Sequence, residues 1–153
     1  MSVEPPVAGE IVNVRFLPWP RERVWGAFSD PASLAAWWGP AGFTNTFHAF
    51  DFCPRGAWKF SMHAPDGAVH AMDHVFAELA PPERLVVRHR QPGHDFTLTI
   101  ALRSQAGGTE LHWRQRFDNV AEGERLRSFL APANEQNLDR LAACLSGRLP
   151  SVR

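Results

Sequence analysis

The sequence has no tyrosine, only two cysteines and no surplus of charge of either sign. Sixteen Lys and Arg are balanced by sixteen Asp and Glu, so the excess positive field that holds nucleic acid or an anionic membrane is missing. Nucleic acid is not an expected partner. Cys53 and Cys144 form no CxxC pair, which fits neither a disulfide framework nor a zinc ribbon. Reduced thiols and a cytoplasmic setting are expected. No run approaches the ~20 apolar residues of a membrane span, and residues 1–10, with Glu4, Pro5 and Pro6, lack the basic-then-apolar order of a secretory leader. No membrane insertion is expected. Also absent are GxSxG, GxxxxGK, GxGxxG and HExxH. A serine-hydrolase elbow, a phosphate cradle and a helical zinc site therefore have no sequence support, and no cofactor is expected.

What remains is an ordinary globular composition with an aromatic bias. The 153 residues are 44% hydrophobic and 21% charged, which predicts one domain over 1–153 with a core of about 10–147. A chain of this size buries about two-thirds of its unfolded surface. Neither a disulfide nor a metal is needed for stability. Six Trp and eleven Phe supply large rings with few phenolic handles, which suits a roomy apolar interior.

Ile11, Val12, Val14, Phe16 and Leu17 predict a first strand, ended by Pro18 and Pro20. Val24, Trp25 and Phe28 then share one face of a short helix to Ser29. Asp30 before Pro31 caps a second helix carrying Leu34, Trp37 and Trp38, which Gly39 and Pro40 stop. From Gly42 onward six β-rich runs follow, over 43–52, 57–63, 69–79, 85–90, 96–102 and 109–117, separated by proline and glycine turns. Alternation puts Trp58, Phe60 and Met62, then Phe96, Leu98, Ile100 and Leu102, then Leu111, Trp113 and Phe117 on one face. Lys59, Thr97, Thr99, Arg103, Glu110, His112, Arg114 and Arg116 take the other, wet face. A charged helical segment ends at Phe129 and Leu130; after Pro132, Leu138, Leu141, Ala142 and Leu145 recur at helical spacing, and Gly147 and Pro150 close that helix.

The expected fold is therefore α+β, in the order β-α-α-β-β-β-β-β-β-α, a curved antiparallel sheet gripping a long C-terminal helix. Wherever the facing side chains do not fill the gap between them, a ligand cavity remains. Its expected lining is Trp38, His48, Trp58, Phe60, Met62, His89, Leu98, Ile100, Trp113, Gln115, Phe117, Asn134, Leu138 and Leu141. Asn134 lies on the helix face that meets the sheet and Gln115 is in register with Trp113 and Phe117, so both amides need a partner. Core packing explains much of the aromatic stripe equally well. His48, His63, Asp73 and His89 are the polar residues nearest the sheet interior, where a histidine beside a carboxylate can move protons. No metal is expected: His70 and His74 are four apart on a strand, which separates them by ~13 Å.

Several motifs, in order, resemble a known group: Trp37-Trp38-Gly39-Pro40 with Gly42-Phe43-Thr44, Gly56-Ala57-Trp58-Lys59-Phe60-Ser61-Met62-His63 leading into Pro65-Asp66-Gly67, Pro81-Pro82-Glu83-Arg84-Leu85-Val86, and Asn134-Glu135-Gln136-Asn137-Leu138-Asp139-Arg140-Leu141. They are similar to the SRPBCC superfamily, in its branch of activator of heat-shock protein 90 ATPase homologue-like domains. The resemblance implies the helix-grip fold of START lipid-transfer domains, the birch pollen allergen and polyketide cyclases. It implies little about activity, because one fold hosts many functions. Ala49, Cys53, Arg55 and Met72 depart from that branch's usual acidic residue, Arg, Gly and Asn, which implies a more apolar pocket here. The eukaryotic activators engage the chaperone through a separate amino-terminal domain for which this chain has no room, so chaperone activation is not expected.

The first functional expectation is binding of a small hydrophobic or amphipathic molecule, with no defined reaction. The alternatives are a cyclase or dehydratase working through cavity His and Asp, and a stress-linked interaction module marked by an apolar patch elsewhere. An exposed edge strand is also able to pair two copies into a homodimer.

Overall fold

The computed structural model describes residues 4–148. The element order is β1 (Glu10–Leu17), α1 (Arg21–Ser29), α2 (Pro31–Trp37), β2 (Thr44–Phe50), β3 (Ala57–His63), β4 (Val69–Ala80), β5 (Arg84–His89), β6 (Phe96–Gln105), β7 (Gly108–Phe117) and α3 (Val120–Leu145). The seven strands form one antiparallel sheet in the order β1-β7-β6-β5-β4-β3-β2. Five consecutive hairpins build β2 to β7, and β1 returns to pair with β7. This is the helix-grip arrangement.

Local chemistry sets the helix ends. Asp30 accepts from the backbone N–H of Ser33 at 3.2 Å and from its hydroxyl at 2.7 Å, with Pro31 opening α2. Asn119 accepts from the N–H of Glu122 and starts α3. Gly147, at φ 74, turns the chain out of α3. Pro150 lies outside the described residues.

One expectation is corrected here. Pro132 does not separate a charged segment from the terminal helix; it sits inside a single helix of 26 residues. The proline removes one N–H, whose partner would be the carbonyl of Ser128, and Ser128 is exposed so that water can replace it. Asn13 also holds the carbonyl of Ala131 at 3.1 Å, tying this turn to β1.

α3 packs against β1, β7, α1 and α2, so it covers one side of the concave face. α1 and α2 fill the other side with rings. Phe28, Trp37, Trp58, Phe60 and Phe76 are fully buried there, and Trp38 packs edge-on to Trp58 at 5.0 Å and stacks on Trp113 at 5.4 Å. On the convex face Arg88 pairs with Asp118, Arg114 with Glu10 at 2.8 Å and Arg84 with Glu78 at 3.3 Å. His112 lies on the expected outer face beside Glu110, its Nε2 2.7 Å from Glu110 Oε1, but it is buried there and not wet. No helix among the described residues is long and apolar enough to cross a membrane.

Candidate functional site

A cavity of about 760 Å³ lies between α3 and the inner face of β3 to β7. Trp38, Leu98, Trp113 and Phe117 wall it from the β6–β7 side, with Met62, Met72 and His74 from β3 and β4. Leu126, Phe129, Leu130 and Ala133 face these residues from α3. Phe129 and Val69, the most exposed large apolar side chains among the described residues at 68% and 61%, stand on its rim.

Cross-strand register builds the floor from His74, His89, Phe96 and Phe117 and continues into the core at Trp58. Trp58, His74, His89, Phe96 and Phe117 are successive partners across β3, β4, β5, β6 and β7, so two imidazoles are enclosed by aromatic rings. His74 packs against Trp58 at 4.8 Å and Phe60 at 5.1 Å, and His89 stacks on Phe96 at 4.5 Å. Neither nitrogen of His74 has a hydrogen-bond partner, nor has His89 Nδ1 or the Nε1 of Trp58 and Trp113. Burial pushes the His74 imidazole well below its usual range, and the nearby His89 adds to that shift. His89 is shifted down as well, again by burial. Both rings are neutral at pH 7.

An amide relay crosses from α3 to the sheet. Asn13 Nδ2 donates to Glu135 Oε2 at 2.8 Å, Asn134 Nδ2 donates to Asn13 Oδ1 and to Gln115 Oε1, both at 3.2 Å. Asn134 and Gln115 are each 7% exposed, so each removes the penalty of burying the other. At the mouth His94 Nδ1 lies 2.8 Å from both oxygens of the buried Glu122, which Arg125 also reaches at 3.1 Å. That pair fixes the β5–β6 loop against the first turn of α3.

The sequence matches the family described as Activator of Hsp90 ATPase homolog 1-like protein over residues 18–146. The chain belongs to that family. With it comes the SRPBCC helix-grip fold, and solved structures share it. The crystal structure of a Chromobacterium violaceum protein is 31% identical, with a TM-score of 0.78, over 91% of this chain and 98% of that one. A solution structure from Arthrobacter aurescens has a TM-score of 0.84 at 20% identity, covering 95% of this chain and 91% of its own. A crystal structure from Rhodobacter sphaeroides has 0.83 at 23%, covering 95% and 98%. No curated protein matches.

In this Activator of Hsp90 ATPase homolog 1-like chain, Trp38, Met62, His89, Leu98, Trp113, Gln115, Phe117 and Asn134 are on the cavity wall. Trp58, Phe60, Ile100, Leu138 and Leu141 are not; they belong to the packed core. The reason is Trp38, which with Trp37 fills the space between β3 and the last turns of α3 and leaves the hollow on its other side.

His48 is corrected too. It is exposed on the convex face, its Nε2 2.8 Å from the Ser61 hydroxyl. A bulge between Phe47 and Ala49 turns both Phe47 and Phe50 inward, where both pack on Trp58, and His48 out. His63 is bound to Thr46 on the same outer face and Asp73 is paired opposite Lys59, so neither enters the cavity. Of the four departures from the branch pattern, Met72 alone lines the cavity. Arg55 occupies the expected glycine position with φ 68.

Sequence reasoning missed His74, Asn13 and the His94–Glu122 pair. For His74 the signal was present: alternation with Met72 and Phe76 gives it the inward parity. For Asn13 it was the spacing with Ile11 and Leu17. Nothing in the sequence brings residue 94 to residue 122.

Proposed function

We propose that this protein binds a small hydrophobic or amphipathic molecule in the cavity between its sheet and α3. The observation that carries this reading is an aromatic-walled hollow of about 760 Å³ between the sheet and α3. A pocket of this size suits a ligand of modest molecular weight, and burying apolar ligand surface contributes roughly 25 cal/mol per Å². Phe129 and Val69 at the rim give an apolar molecule a path inward. Their place at the mouth also favours this reading over an interaction module, which needs its patch elsewhere.

The test is native mass spectrometry with thermal shift over aliphatic and aromatic panels. Retained mass together with a raised Tm is expected, and Ala133→Trp, which fills the hollow from α3, is expected to abolish both while keeping its circular dichroism spectrum. A panel in which nothing binds or stabilises the wild type sinks the proposal.

A second reading, proton-transfer catalysis of the cyclase or dehydratase type, is favoured by one observation: His94 and Glu122 are a histidine and a carboxylate in contact on the cavity wall. Such a pair leaves the other ring nitrogen free to exchange a proton with a bound molecule. His94→Gln is expected to stop any turnover found while leaving binding intact.

A further inference from the structure

The amide relay fixes which end of Gln115 faces the cavity. Glu135 is a carboxylate and the Ala131 carbonyl is an acceptor, so the Asn13 group that meets both must be its NH2. The Asn13 oxygen therefore faces Asn134, whose NH2 must point to it and, by the same group, to Gln115. Gln115 answers with its oxygen. Its NH2 is the end left over, and Gln115 lies on the cavity wall. A fixed carboxylate on α3 thus orients, through Asn13 and Asn134, the one amide NH2 of Gln115.

Among the described residues no Lys or Arg lines this cavity, and the one carboxylate that does, Glu122, is at the mouth. The deeper wall offers the neutral Gln115 amide and aromatic faces. An acceptor oxygen without charge is matched by such a wall, whereas a carboxylate would be buried with no cation to offset its lost hydration.

Resting on the binding reading, we propose that the cavity selects an uncharged aromatic carbonyl compound, its oxygen accepting from Gln115 Nε2 and its rings lying against Trp38 and Phe117. Glu135, Asn13 and Asn134 are positioning residues: they touch no ligand and set the direction of the Gln115 amide.

Three probes of nearly equal size separate the ideas in calorimetric titrations at about pH 8, where a carboxylic acid is ionised: acetylnaphthalene, naphthalene and naphthoate. One neutral hydrogen bond predicts acetylnaphthalene to bind several-fold tighter than naphthalene, with naphthoate the weakest by about a further tenfold. In Gln115→Leu the advantage of the ketone over naphthalene is expected to fall several-fold while naphthalene affinity is retained. Equal affinities for ketone and hydrocarbon, or naphthoate binding as tightly as the ketone, overturn the selectivity and leave the binding reading standing. Failure of all three to bind removes both.

Discussion

His74 on β4 and His89 on β5 stand directly opposite each other, their ring centroids 5.1 Å apart and their planes at 88°. Two neutral imidazoles in contact beneath aromatic rings give the fold a pH dependence that can be worked out. Both have pKa values lower in the folded protein than the 6.5 of the free side chain. Below about pH 6.5 the unfolded chain takes up protons that the folded chain does not. The stability these groups contribute is therefore fully present above pH 6.5 and declines as the pH falls.

Thermal unfolding between about pH 7.5 and pH 5 is expected to show Tm falling with acidification, and His74→Phe, which fits the surrounding cage of rings, is expected to flatten that slope. A variant with the wild-type slope would mean that other groups carry the effect.

Arg140 reaches from α3 to the end of α2, donating to the carbonyls of Ala36, Trp38, Gly39 and Pro40 at 2.9 to 3.1 Å. It holds the segment that places Trp38 between core and cavity. Arg140→Met leaves these acceptors without their charged donor and is expected to cost about 2–4 kcal/mol in urea unfolding. Tryptophan emission should also shift to the red as Trp38 loosens. Unchanged stability would show that water replaces the guanidinium without penalty.

Gly39 has φ 101, and a Cβ there would come within 2.9 Å of Met62 Cε. Gly39→Ala is expected to lose about 1–3 kcal/mol through backbone strain. Adding Met62→Ala, which clears the contact but not the strain, should not restore it. Full recovery in the double variant would assign the cost to crowding.

Asn134 and Gln115 are coupled by the hydrogen bond between them. Asn134→Leu strands the oxygens of both Gln115 and Asn13 and is expected to cost about 2–4 kcal/mol. Combining it with Gln115→Leu should cost less than the sum of the two single changes, because one stranded acceptor has been removed. Strict additivity in this cycle would show that the amides do not act on each other in solution.

The two histidines expose the limit of reading pattern alone. Strand parity puts residues 72, 74 and 76 on one face, because side chains alternate wherever the pleat is regular, and that signal was passed over at His74. At His48 the same rule fails, since one extra residue in β2 between Phe47 and Ala49 reverses the facing, and bulges carry no fixed sequence mark. Asn134 and Gln115 were legible as buried amides in need of partners. That each supplies the other was not, because the pair joins a helix to a strand 19 positions away in sequence.

By itself the sequence determined the order of strands and helices, the alternating faces of the sheet and the family, since those are written in local periodicity and in short motifs. Only the tertiary structure decided where the interior is solid and where it is hollow. Trp38 leans on Trp58 and Trp113 from a loop after α2, so it completes the packing on one side and becomes the wall of a cavity on the other. That choice depends on the direction in which a few large rings meet across elements distant in the chain, and no local pattern encodes it.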